Sequence, residues 1–196
     1  MSANFNDKRK KHGNKLRKVN FLTNFIVNKI NEDQEIKRYV LYGTSNPLGK
    51  YGKDLNEKVI AQPDITKSLL NENVLFNNPF DEEILDKEKV CYIFVYPYSS
   101  NYRKNDIGDL EFVVNILSPS EYNNLTRGDK RIFEIGYRIE DSLDQYVIEN
   151  DEGNGEIGNV MFELTASAHT RLSKVTSIEN LALKFKVRIS TMRNDY

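Results

Sequence analysis

One cysteine, two histidines and no tryptophan stand among the 196 residues, and their scarcity removes several kinds of chemistry at once. Cys91 alone cannot make an internal disulfide, so the fold must rest on burial, and the chain fits a reducing compartment. It stands in the run KVCYIFVYPY and reads as a small buried hydrophobe, not as an exposed nucleophile. His12 and His169 lie far apart and neither sits in a ligand-spaced motif, so no zinc donor set exists. Also missing are the GxSxG elbow, the GxxxxGK phosphate loop and a GxGxxG turn after a strand. No catalytic residue, cofactor or metal is therefore named, and the chain is expected not to be an enzyme. No run approaches the roughly 18 apolar residues of a spanning helix. The best early stretch, VNFLTNFIVNKI, is broken by Asn24, Asn28 and Lys29 and lacks a small-residue cleavage site, so neither membrane insertion nor secretion is expected.

What is present is a hydrophobic content of 39% and a charged content of 29%, enough for one sizeable core. Eleven Tyr and ten Phe favour β-rich packing, because rings suit pleated half-buried surfaces. The net charge of −1 conceals a polarity. Residues 1–18 hold seven basic residues and one acid, a charge of +6, whereas the remainder holds 21 basic and 28 acidic residues, a charge of −7. MSANFNDKRKKHGNKLRK has almost no large apolar residue before Leu16, so it reads as a basic flexible arm ahead of a single domain, 19–196. Lys8, Arg9, Lys10, Lys11, Lys15, Arg17 and Lys18 are its candidate contacts with phosphate or with an acidic protein face; a plain solubility tail is the alternative.

From Val19 the periodicity turns helical. Leu22, Phe25, Ile26 and Ile30 predict a helix over about 19–31, and Ile36, Tyr39 and Val40 a second turn or helix to about 42, stopped by Gly43 and SNP. Residues 43–88 are punctuated by glycines and prolines and read as a long loop with short apolar pieces at KVIAQ and NVLF; such a connection is functional or braced by a partner. KVCYIFVYPYSS is apolar on both faces, as a central strand would be, with Pro97 marking its end. It forms a hairpin with LEFVVNIL. A helix follows over about 129–145, its buried stripe Ile132, Ile135, Ile139 and Leu143, widened by Phe133 and Tyr137, with Arg131, Glu134, Arg138 and Asp141 on the wet side. After the acidic loop ENDEGNGEIGN, VMFELTASAH and ENLALKFKVRIST make a second hairpin. The fold class is α+β: a small mixed or antiparallel sheet of about four or more strands, a packed central helix, an N-terminal helix and a long loop.

ENLALKFKVRIST has two unlike faces. Leu183, Phe185, Val187 and Ile189 belong to a core, and Lys184, Lys186 and Arg188 face a solvated surface, an acidic partner, a neighbouring subunit or nucleic acid. The loop around Gly155 resembles a calcium loop, but Met161 stands where a bidentate Glu is needed. The RGD at 127–129 serves better as a helix start, with Asp129 beside the dipole. The carboxylates at 81–88 and 140–156 read as solvated faces.

The order of elements, with a helix ending near YVLYGTSNP, a long loop, the pair VCYIFVYPY and LEFVVNIL, the helix RIFEIGYRIEDSLD and closing strands, resembles the tail-terminator and tail-completion family of tailed bacteriophages over roughly residues 19–190. That resemblance implies a central helix packed across a small mixed sheet, and a structural virion protein forming a homo-oligomeric ring, hexameric or higher, at the neck or head-proximal end of the tail. Its neighbours would be adjacent neck and tail proteins and packaged DNA. The long segment 43–88 and the basic arm depart from compact family members, and a head-completion or connector-ring protein has the same order. The other reading is a nucleic-acid-binding regulator that grips phosphate with the arm and stacks bases on Tyr92, Tyr96, Tyr98 and Tyr102.

Overall fold

The computed structural model describes residues 5–49, 63–79, 89–103, 106–126, 128–148, 159–172 and 177–190. Helix α1 spans Phe5–Glu32 and α2 Gln34–Leu41; strand β1 is Leu75–Phe76, β2 Tyr92–Arg103 and β3 Asp106–Pro119. A short α3, Ser120–Asn123, precedes α4, Arg131–Leu143, and β4 Val147–Ile148, β5 Asn159–Arg171 and β6 Ile178–Ser190 complete the chain. The strands make one mixed six-stranded sheet in the order β1-β2-β3-β6-β5-β4, parallel only where β1 meets β2. Two long hairpins, β2–β3 and β5–β6, therefore lie side by side. The α+β expectation holds.

Period-two alternation places Leu110, Phe112, Val114 and Ile116 of β3 and Leu181, Leu183, Phe185 and Val187 of β6 on one face, all buried. Leu22, Ile26 and Ile30 of α1, Ile36 and Val40 of α2, and Ile132, Ile135, Ile139 and Leu143 of α4 complete the same core. Gly136 lets α4 lie close on the sheet: a Cβ there would stand 2.6 Å from Leu181 Cδ2. On the opposite face Tyr92, Phe94 and Leu117 form a second buried group with Phe76 stacked on Phe94 at 4.9 Å. Cys91 is fully buried, and burial pushes its thiol from 9.0 up to about 12 against the lowering charge of Arg131, so it stays protonated and inert at neutral pH.

Several expectations are corrected. The first helix begins at Phe5, not near residue 19, so the backbone of the basic run forms its opening turns; Lys, Arg and Leu have good helix propensity and extend a helix whose later turns are held by packing. Strand β2 continues past Pro97 to Arg103, with a register shift between Pro97 and Ser99. Ile93 N–H points to β1, donating to Val74 O, so Pro97, two pleats along, faces the same outer edge and costs no bond to β3. On α4, Tyr137 is exposed and Arg131 wholly buried, the reverse of the amphipathic reading. The helix starts at Arg131, and its Ile132 N–H is capped by Asn123 Oδ1 at 3.1 Å, not by Asp129.

The described part of the long loop, residues 63–79, is braced from within the chain. Lys37 Nζ donates to Ile65 O at 3.0 Å, Arg38 Nη2 to Pro63 O at 2.7 Å, and Gln34 Oε1 accepts from Ile65 N at 2.7 Å. Asn31 Oδ1 takes the Leu69 amide at 2.8 Å. These side chains satisfy backbone groups that an irregular segment leaves open. KVIAQ, the acidic run 81–88 and residues 150–158 of the candidate calcium loop fall outside the described residues.

Candidate interaction surface

Because Leu183, Phe185 and Val187 point into the core, the pleat turns Lys184, Lys186 and Arg188 onto the outer face of the sheet. The neighbouring strands supply carboxylates at matching heights. Lys184 Nζ lies 3.0 Å from Glu111 Oε2 and Lys186 Nζ 3.2 Å from Asp109 Oδ2, both on β3; Arg188 Nη2 lies 2.6 Å from Glu163 Oε2 on β5. Each pair is diagonal in the ladder, two residues off direct register, within reach of long side chains. Lys184 also stands over the Tyr98 ring, 4.8 Å from its centroid, and Ser99 donates to Glu111. Glu111 is held below its ordinary value of 4.5, first by the Ser99 hydroxyl and then by Lys184.

The basic side chains are 33%, 32% and 56% exposed and their partners 27%, 36% and 33%, so the pairs are wet and each contributes little stability alone. Together they form a plate of acidic, basic and acidic rows on β3, β6 and β5 without excess charge of either sign. This answers what the basic row meets: the chain's own carboxylates. As an isolated patch for phosphate the row is thus neutralised locally. The described, packed part of α1 lies on the other face of the sheet, with Leu22 and Ile26 in the main core. The structure therefore separates Arg17 and Lys18 from the ladder. Lys8, Arg9, Lys10, Lys11 and Lys15 lie within the helical backbone of α1, and their side chains fall outside the described residues. Of the candidate stacking rings, Tyr92 is buried and Tyr98 is 62% exposed beneath Lys184.

A second polar group, which the sequence reading missed, sits where α4 begins. Glu179 of β6 is buried, and its two oxygens accept from Lys130 Nζ at 2.7 and 2.6 Å, with His169 Nε2 3.0 Å from Oε2. Burial by itself raises the Glu179 pKa, but the hydrogen bond and charge of Lys130, followed by His169, outweigh it and hold the carboxyl below its ordinary value of 4.5. A depressed carboxyl stabilises the fold fully above its unfolded value and loses that contribution as pH falls through the folded one. At pH 7, Glu179→Gln is expected to cost about 1–3 kcal/mol. That difference from wild type should shrink steadily below about pH 4.5, measured as urea midpoints across pH 3–7. An unchanged gap at pH 3 would remove the ion pair from the account.

Among the described residues no group of His, Cys, Asp and Glu is placed to hold a metal, and no helix is long and apolar enough to cross a membrane. No curated protein matches the chain. Six solved chains do match, among them one from "Virion of native gene transfer agent (GTA) particle", at 10% identity and a TM-score of 0.36, covering 64% of this chain and 87% of that one. The model of the YomW family matches residues 33–176, from the cap of α2 to beyond the end of β5. With the greater part of its length so matched, the chain belongs to the YomW family, a family of phage derivation.

Proposed function

We propose that this protein is a structural, non-enzymatic component of a phage-type virion, forming a ring at the neck or head-proximal end of the tail and joining the head connector to the tail. The observation that carries the reading is the outer sheet face. The six-stranded sheet bears charges of alternating sign on adjacent strands, Asp109 and Glu111, then Lys184, Lys186 and Arg188, then Glu163, over a closely packed core. Such a surface suits a mating face of complementary pattern, where register and partner choice come from charge placement more than from raw affinity. Membership of a phage-derived family supports the same reading.

A neutralised ladder suits protein neighbours at the sheet face, and on this reading packaged DNA meets the basic half of α1, with Lys8, Arg9, Lys10, Lys11, Lys15, Arg17 and Lys18. The test is electron microscopy of particles carrying the tagged chain. Density or label in a ring at the head–tail junction is expected, and particles that assemble normally without the protein would end the proposal. Deleting residues 2–18 should lower DNA retention while ring formation persists; unaltered yields of filled particles would withdraw the DNA contact.

A further inference from the structure

The sheet ends in two edges that are treated very differently. Strand β1 covers only Ile93 and Phe94 of β2, but beyond them that edge carries Pro97 and two register shifts, devices that discourage pairing. Strand β4 pairs with Val160 and Met161 of β5, and the segment before β4 covers Phe162 and, through Asp144, the Leu164 amide. From Thr165 to Leu172 every residue of the other edge is exposed, and past the shift between Leu164 and Ala166 it carries no proline and no further bulge.

The direction of its free backbone groups follows from the ladder. Phe162 donates to Tyr146 O at 3.1 Å and accepts from Gln145 N at 2.9 Å, so its groups point away from β6. Phe162 pairs with Val187, and positions facing Leu183, Leu181 and Glu179 share that phase along β6: these are Ser167, His169 and Arg171. Leu172 N–H turns the other way, to Ile178 O at 3.0 Å, which agrees. Ser167, His169 and Arg171 thus direct N–H and C=O groups to an edge that meets no strand among the described residues. Ala166, Ser167 and Ala168 are small enough to admit a strand at about 4.8 Å.

We infer that residues 165–171 of β5 pair antiparallel with the same segment of a second copy of this chain. Charge selects that occupant. The exposed edge has Arg171 at one end and Asp144 beside the other, where Asp144 Oδ1 takes the Leu164 amide at 2.7 Å; Glu163 lies on the outer face and is held by Arg188. Antiparallel pairing of two identical edges brings Arg171 of each copy toward the acidic end of the other, a self-complementary two-fold arrangement. Seven residues are a usual strand length. The contact does not depend on the neck-ring reading.

The test is sedimentation and native mass spectrometry of the full chain over a concentration series. Ser167→Pro removes an outward N–H without cutting a bond to β6, and should weaken self-association about tenfold or more with the circular-dichroism spectrum retained. Should that variant fail to fold, Arg171→Glu, on an exposed side chain, replaces it and should weaken association similarly. A wild-type chain that stays monomeric, or a folded variant that associates like wild type, overturns the inference. A ring that persists unchanged in the variant also overturns it and leaves the neck reading standing. A dimer weakened by the variant, in a protein absent from the neck, has the opposite consequence.

Discussion

Replacing Arg131 with methionine is expected to destabilise the fold by about 3–5 kcal/mol, because four backbone carbonyls lose their donor at about 1–3 kcal/mol for each that water does not reach. Arg131 is wholly buried, and its guanidinium donates to four backbone carbonyls: Tyr39 and Tyr42 at the end of α2, Thr44 just beyond it, and Tyr122 in α3, at 2.7–2.9 Å for the last three. The last carbonyls of a helix have no partner within it, so Arg131 acts from α4 as the cap of α2 and fixes the chain leading away from it. Burial lowers the pKa of the guanidinium from its usual value, and the fork of donors opposes that cost by hydrogen bonding. Methionine fills similar space and leaves the carbonyls unsatisfied. A melting temperature lower by on the order of 10 °C should follow for a chain of this size. Arg131→Lys should cost about 2 kcal/mol, since one ammonium cannot span a planar fork. A loss under about 1 kcal/mol for the methionine variant would show that these carbonyls find other donors.

The same residue shows where sequence reading stopped. Arg131 stands four before Ile135 and eight before Ile139, so it lies on the buried stripe of α4; its charge, not its spacing, placed it on the wet side. Hydrophobic periodicity located α2, α4 and both long hairpins because each has a face that must leave water. It missed the first turns of α1, whose sequence has no apolar stripe to read, and the continuation of β2 past Pro97, where only the orientation of a missing N–H decides tolerance. The basic face of β6 was legible from alternation. Its partners Asp109, Glu111 and Glu163 were not, because cross-strand neighbours depend on the order β3-β6-β5, which no local pattern states. Lys130, His169 and Glu179 meet for the same reason, 49 and 10 residues apart in pairs.

Reversing the ladder separates its role in folding from its role in recognition. Lys184→Glu, Lys186→Glu and Arg188→Glu together set carboxylates against Glu111, Asp109 and Glu163, and should cost about 1–3 kcal/mol at low salt, less near 1 M where exposed charges are screened. Adding Asp109→Lys, Glu111→Lys and Glu163→Arg rebuilds every pair with its polarity exchanged, so the melting temperature should return close to wild type. A surface that merely stabilises its own sheet would then function normally in the sixfold variant. A mating face read by a neighbour would not, because each row now presents the wrong sign at the correct position. The expected result is a stable protein that fails to enter rings or particles, scored by native mass and by particle yield. Normal assembly of the exchanged ladder would assign these six side chains to the fold alone and move the contact surface elsewhere on the molecule.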